Sequence, residues 1–193
     1  MNITQMIRVS QSLVKRSALV LAALMVAGSM QAATATFTNI VAGTYDWTVA
    51  GNWDAGGVPA SATTATNVFF KDIGNALGGG VTVNNDPATL TLNTLTLNGL
   101  AKLSTATAFT LGTAGKTWTL DGTAPKVNLN AMNNGSGVLT IRSNPNLTLN
   151  TDALFIGSGT ATFLFPGVIS GGGFGFTKVG GSTLTLNGAA VNT

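Results

Sequence analysis

The sequence predicts an all-β protein, and three observations favour a parallel β-solenoid within that class. From residue 34 onward, short runs alternate an apolar residue with threonine, which is typical of strands that bury one face. A tetrad, Leu-Thr-Leu-Asn, recurs as expected for coils that stack on one another. The two tetrads that lie closest together differ in parity, which indicates a bend. The tetrads occupy 90–93, 95–98, 147–150 and 184–187.

The two neighbouring tetrads carry the strongest argument. In one unbroken strand, Leu90 and Leu92 would face away from the leucine pair that begins at Leu95, because side chains alternate with a period of two. A bend at 93–94 would turn both pairs towards one core. Such a bend is how a solenoid coil turns a corner.

An antiparallel β-sandwich is the alternative architecture. Its short strands would be joined by turns about every 8–12 residues, and Asn-Gly or Asp-Gly turn signals occur at 98–99, 121–122, 134–135 and 187–188. These dipeptides fit either architecture. The parity change and the near absence of charge in the strands favour the solenoid.

The first 35 residues have the three-part pattern of a secretory signal peptide. Arg8, Lys15 and Arg16 form a basic start, 18–27 is an apolar run, and small residues are frequent in 28–35. The apolar run is much shorter than the about 20 residues that a membrane span needs. We therefore expect secretion or display at the cell surface, with no integral membrane span in the mature chain.

Removal of this leader would change the charge balance. The chain has nine basic and six acidic residues and a net charge of +3, but three of the basic residues lie in the leader. The mature chain would then be neutral, with six cations scattered singly along it. Because nucleic-acid binding depends on clustered cations that release counterions from phosphates, we expect no nucleic-acid partner.

Three parts of the chain are expected to differ in role. After the leader at 1–35, the segment 36–75 lacks the tetrad and is rich in aromatic residues. A stack of coils needs an atypical first coil to cover its open end, so this segment is expected to be an N-terminal cap. The solenoid is expected to span 76–193. The aromatic residues of the cap are Phe37, Tyr45, Trp47, Trp53, Phe69 and Phe70.

The last stretch of the chain carries a pattern of Ile-Ser-Gly, a lysine and a Thr-Leu-Thr-Leu run. Its residues are Ile169, Ser170, Gly171, Gly173, Lys178, Gly180, Thr183, Leu184, Thr185, Leu186, Gly188, Asn192 and Thr193. They resemble the autotransporter-associated β-strand repeat, whose pattern runs I-S-G-x-G-x-L-x-K-x-G-x-G-T-L-T-L-x-G-x-N-T-Y-x-G. The segment 47–53, which begins and ends with Trp, is similar to an opening common in secreted proteins with this repeat.

This resemblance implies a right-handed parallel β-helix that is exported to the cell surface or beyond. It implies no particular chemistry. The family pattern continues with Tyr where this sequence stops at Thr193, so the last repeat is expected to be incomplete.

The composition excludes several classes of catalytic and metal-binding site. The chain has no His and no Cys, and all six of its acids are Asp. It therefore has no Ser-His-Asp triad, thiol nucleophile, disulfide or ordinary zinc site. The run 171–176 shares only its glycines with calcium-binding repeats, since Phe176 stands where an Asp ligand would be. We expect no catalytic residue, no cofactor site and no metal ligand.

Two carboxylates remain as candidates, because Asp46 and Asp54 flank Trp47 and Trp53. Paired carboxylates could hydrolyse a glycoside, and the indoles together with Tyr45 could stack on sugar rings. Asp at such positions is more often a turn cap, so the sequence favours a non-catalytic structural or adhesive protein. A carbohydrate-active or carbohydrate-binding β-helix is the alternative, and the candidate partners are a surface polysaccharide and a second copy of the chain.

We predict that the mature protein begins between Met30 and Thr36, because the apolar run ends at Ala27 and small residues follow it. N-terminal sequencing of exported protein measures this directly. Exported material that still began at Met1 would contradict the prediction.

Overall fold

The all-β class is confirmed by the computed structural model, which describes residues 34–39, 41–54, 57–59, 66–71, 80–84, 86–100 and 107–188. These residues form fifteen strands and one short 3-10 turn at Ala50–Asn52. All but the last two residues of the predicted leader lie outside the described residues. The strands are β1 (Thr34–Phe37), β2 (Gly43–Asp46), β3 (Thr66–Phe70), β4 (Val81–Asn84), β5 (Thr89–Leu97), β6 (Thr107–Leu111), β7 (Thr117–Leu120), β8 (Lys126–Leu129), β9 (Leu139–Ser143), β10 (Asn146–Leu149), β11 (Ala153–Ile156), β12 (Thr162–Phe165), β13 (Ile169–Ser170), β14 (Phe176–Val179) and β15 (Leu184–Leu186).

The alternation of apolar residues with threonine produces the predicted one-sided burial. In β4, Val81 and Val83 are buried while Thr82 between them is half-buried. In β7, Trp118 is likewise buried beside the half-buried Thr119. Threonine suits the outer face because its β-branched side chain fits a pleated strand while its hydroxyl meets solvent. The inward residues pack into one hydrophobic core.

Two sheets hold the described strands. The larger has the order β13-β10-β7-β5-β8-β11-β14, with β3 beside β5 and β1 beside β3. The smaller has the order β15-β12-β9-β6-β4-β2. Every pairing between these strands is parallel. The antiparallel sandwich is therefore wrong for this chain.

The chain returns to each sheet at regular places. In the smaller sheet, Thr82 lies opposite Thr110, and Thr110 lies opposite Arg142. Further on, Leu164 lies opposite Thr185. Each return, which we call a passage, takes about 20 to 40 residues, a spacing typical of stacked repeats. Side chains at paired positions of parallel strands point to the same side. The inward apolar side chains of successive passages therefore stack into columns.

The bend predicted at 93–94 lies in the middle of β5. The leucines on both sides of it are fully buried, at 0% exposure. The first half of β5 pairs with β7 and the second half with β8. On the other side, Thr66 lies opposite Leu92 and Asn67 lies opposite Thr94, so Asn93 is an extra, unpaired residue. This register shift restores the inward direction of the second leucine pair, and the prediction is confirmed.

Polar side chains join successive passages at this corner. The Asn93 amide donates to Asn67 Oδ1 over 2.9 Å. One passage later Gly122, with a φ of +127°, lies so close to Asn93 that a Cβ would collide with the Asn93 side chain. In the passage after that, the Asn150 amide donates to Asp121 Oδ2 over 3.2 Å. The corner is therefore held by side chains that bond from one passage to the next.

One column of the stack begins with large inward side chains and ends in glycine. It begins with Phe37 opposite Phe70 and continues with Leu97 opposite Leu129. The chain then passes Leu129 at Gly157, which is half-buried, and passes Gly157 at Gly180, which is exposed. A Cβ on Gly157 would collide with the Leu129 carbonyl, and a Cβ on Gly180 with the Gly157 carbonyl. Backbone thus packs directly on backbone in the last passages.

Aromatic residues fill the core at the N-terminal end, within the segment expected to be a cap. The rings of Trp47 and Trp53 are 4.8 Å apart, and Phe37 lies 5.5 Å from Trp53. The outer edge of β1 is also occupied, because Asp54 N–H donates to the Thr36 carbonyl over 2.9 Å. Phe69 is half-buried and faces outward instead.

Ser143 interrupts a column of large apolar residues in the smaller sheet. It lies opposite Leu111, which is fully buried, and its own exposure is 0%. Its hydroxyl has no hydrogen-bond partner among the described residues. A buried hydroxyl without a partner costs about 1–3 kcal/mol of desolvation.

We predict that Ser143→Ala raises the free energy of unfolding by about 1 kcal/mol, because the variant removes an unpaired polar atom from the core. Thermal or urea denaturation measures the change. Ser158→Ala is the matched control, since Ser158 is exposed and its loss should change stability by less than about 0.5 kcal/mol. A destabilised Ser143→Ala variant would show that the hydroxyl is satisfied.

Candidate functional site

The two tryptophans considered for sugar stacking lie in the core. Trp47 is 0% exposed and Trp53 is 5% exposed. The Trp47 ring packs against both Trp53 and Trp118, with ring centroids 4.8 Å and 5.4 Å away. Protein atoms therefore cover the ring surfaces that a sugar would need. The interpretation of these residues as a sugar platform is wrong, because the indoles serve the N-terminal core.

Main-chain acceptors explain how these indoles tolerate burial. Trp47 Nε1 donates to the Pro59 carbonyl over 2.7 Å, and Trp53 Nε1 donates to the Trp47 carbonyl over 2.8 Å. A buried indole N–H usually needs such a partner. Tyr45, the third candidate, is half-buried and donates its hydroxyl to the Val41 carbonyl.

The candidate carboxylates Asp46 and Asp54 accept hydrogen bonds from threonine residues. Asp46 Oδ1 accepts from the Thr48 N–H over 2.9 Å and from the Thr48 hydroxyl over 2.8 Å. Asp54 Oδ1 accepts from the Thr36 N–H over 3.1 Å. The Asp46 contacts agree with the turn-cap interpretation. Asp54 instead accepts from the outer edge of β1, 18 residues earlier in the chain.

The structure also assigns a role to a buried acid that was not singled out from the sequence. Asp86 is 2% exposed. Its Oδ2 accepts from Trp118 Nε1 over 2.9 Å, and its Oδ1 accepts from the Thr113 N–H over 2.7 Å. The carboxylate thus links the segment before β5 to the segment that leads into β7, one passage later. No spacing signal could have identified it, because the partners are about thirty residues away and meet only through the parallel register.

The glycine-rich run 171–176 forms a turn between β13 and β14, as expected. Gly172 and Gly173 have φ values of +50° and +107°, a left-handed conformation that glycine adopts without strain. Phe174 between them and β14 is 49% exposed. The described residues contain no group of three or more acidic, His or Cys side chains placed to hold a metal ion.

This turn borders a hollow at the end of the stack. The hollow has a volume of about 500 Å³ and is lined mainly by Leu149, Ile169, Phe174 and Phe176. Its walls are apolar side chains and glycine backbone, with Ser170 as a polar side chain. It lies at the end of the larger sheet, against β10, β13 and β14.

Within the part of the chain that the structure describes, no helix has the length and apolar character needed to cross a membrane.

We predict that Asp86→Ala lowers the free energy of unfolding by about 3 kcal/mol, because it leaves the buried Trp118 N–H without an acceptor. Urea denaturation followed by tryptophan fluorescence measures the loss. Asp152→Ala is the matched control: Asp152 is exposed and accepts one backbone bond from Gly175, so its loss should cost about 1 kcal/mol or less. Equal losses in the two variants would contradict a structural role for Asp86.

The chain was compared with known proteins by sequence and by structure. It matches no protein-family model, no curated protein and no solved structure. Its function therefore has to be inferred from the residues and contacts described above.

Proposed function

We propose that this chain is an exported, non-catalytic, right-handed parallel β-solenoid that serves as a structural or adhesive segment at the cell surface or in the medium. The observation that carries this proposal is the parallel register, in which each passage repeats the inward positions of the one before. Val68, Leu95, Val127 and Phe155 follow one another in this way. A right-handed path is the physically favoured one, because twisted parallel strands joined by crossovers are almost always right-handed.

Two features of the sequence support export. The leader pattern in 1–35 is that of a secretory signal peptide, and the last stretch of the chain resembles a repeat of surface-displayed proteins. The complete lack of cysteine leaves stability outside the cell to packing and to backbone pairing. The two parallel sheets supply both.

The contacts of the acids support a non-catalytic role. General acid–base chemistry uses carboxyl groups that meet substrate and differ in protonation. The five described acids instead accept hydrogen bonds from neighbouring backbone or amide groups of the chain, which is a structural use. These acids are Asp46, Asp54, Asp86, Asp121 and Asp152.

The outer face of the larger sheet supports an adhesive role. Across β7, β10 and β13, Thr119 lies opposite Thr148, and Thr148 lies opposite Ser170. Thr117 and Asn146 form a second pair beside them. All five residues are half-buried and uncharged. Thr148 and Ser170 share a hydroxyl hydrogen bond of 3.4 Å, and Asn146 Oδ1 accepts from the Val168 N–H over 2.9 Å. Each hydroxyl can both donate and accept and an amide has two donors, so the patch could still bond a polysaccharide without the cost of desolvating a charge.

This patch favours carbohydrate binding over carbohydrate cleavage as the second candidate function. It presents donors and acceptors but no carboxylate. The ligand would be a neutral surface polysaccharide, because the patch has no cation to pair with an acidic sugar.

We predict that the purified protein is retained by insoluble polysaccharide and that Thr119→Glu/Thr148→Glu weakens retention about ten-fold, equivalent to ~1.4 kcal/mol. The two glutamates would have to lose water on contact with the ligand. Pull-down on cellulose, chitin and peptidoglycan measures the bound fraction against protein concentration.

The matched control is Thr110→Glu/Thr140→Glu, on the half-buried outer positions of β6 and β9 in the other sheet. This control should bind as the wild type does. Equal weakening in both variants would argue against the patch. A lack of retention on all three materials would leave the structural role as the proposal.

A further inference from the structure

Lys178 lies in a column that is otherwise apolar. In the larger sheet, Ala35 is opposite Val68, and Val127 is opposite Phe155. Phe155 in turn is opposite Lys178 on β14. Since paired positions of parallel strands point to the same side, the lysine side chain is directed inward, over the ring of Phe155.

The contacts of Lys178 keep its charge at the end of the core. The residue is half-buried, and its ammonium donates to the Val179 carbonyl over 3.1 Å and to the Gly180 carbonyl over 3.0 Å. Phe155 below it is fully buried and packs on Phe176 with ring centroids 4.9 Å apart. The aliphatic stem thus covers apolar surface while the charge remains at the rim.

The edge on which Lys178 lies has the properties of a strand-pairing surface. Among the described residues, β13, β14 and β15 are the last strands of their sheets. Phe174 and Leu186 expose 49% and 41% of their surface there, and Phe174 also lines the hollow of about 500 Å³. An exposed apolar edge of this kind pairs readily with another strand unless a charge prevents it.

The opposite edge of the same sheet cannot receive β14 from a second copy. The outer side of β1 is taken by the segment 52–54, through the bonds of Asp54 to Thr36 and of the Thr38 N–H to the Asn52 carbonyl. Among the described edges of the larger sheet, the complement of the β14 edge that stays accessible is therefore the same edge of another molecule. Such pairing has two-fold symmetry and brings two Lys178 side chains together at an apolar contact.

We propose that Lys178 is an edge-protecting residue, which prevents the edge of β13, β14 and β15 from pairing with the same edge of a second copy. Two inward-pointing ammonium groups would lose water and repel each other in such a dimer. Removal of the charge makes the edge self-complementary. This role is independent of any polysaccharide ligand.

The test compares Lys178→Met with Lys126→Met and Lys178→Arg by sedimentation velocity over a hundred-fold range of protein concentration. Because a methionine side chain at position 178 would extend the apolar column, Lys178→Met should form dimers at a concentration at least ten-fold lower than the wild type. Lys126 lies on β8 opposite Thr94, on the outward side, so Lys126→Met should behave as the wild type. Lys178→Arg keeps the charge and should also remain unchanged.

Circular dichroism checks that each variant is folded, and Lys178→Gln replaces Lys178→Met if the latter is not. The proposal is overturned if the uncharged variant associates no more strongly than the wild type. It is overturned as well if Lys126→Met promotes association to the same degree, because the effect would then come from net charge and not from the edge.

Discussion

The in-register stacking of parallel strands is the constraint on which the rest of this structure depends. Each strand satisfies its backbone groups with the strand of the preceding passage, so the register of one passage fixes the register of the next. Inward positions then form columns, and each column needs side chains that pack on their neighbours above and below. The structural roles of Asn93, Ser143 and Lys178 follow from where these residues stand relative to the columns.

The sequence predicted those parts of the fold that depend on local pattern. Alternation with threonine located most strands, because the period of two is a direct consequence of strand geometry. The parity change between Leu92 and Leu95 located the bend at Asn93, because only an extra residue lets both leucines reach one core.

Features that depend on the register were not predictable from the sequence. The use of Trp47 and Trp53 as core residues depends on main-chain acceptors at Pro59 and at Trp47 itself, and no sequence pattern marks those acceptors. Asp86 meets Trp118 only because their passages are stacked. Lys178 has the same parity as Phe176, so strand alternation directs both side chains to one side. Only the pairing of Lys178 with Phe155 shows that the lysine ends an apolar column.

The change along one column, from phenylalanine through leucine to glycine, has a consequence for how such a chain can grow by duplication. A copied passage would be accepted only beside a passage that leaves it enough room, because Leu97 carries a buried side chain whereas the backbone at Gly157 and Gly180 leaves no room for a Cβ. Duplication near the glycine end would add further passages with little space between their backbones, as at Gly157 and Gly180, where a single Cβ meets backbone. The repeats of this chain are therefore not interchangeable modules, and recombination between distant passages would produce cavities or collisions in the core.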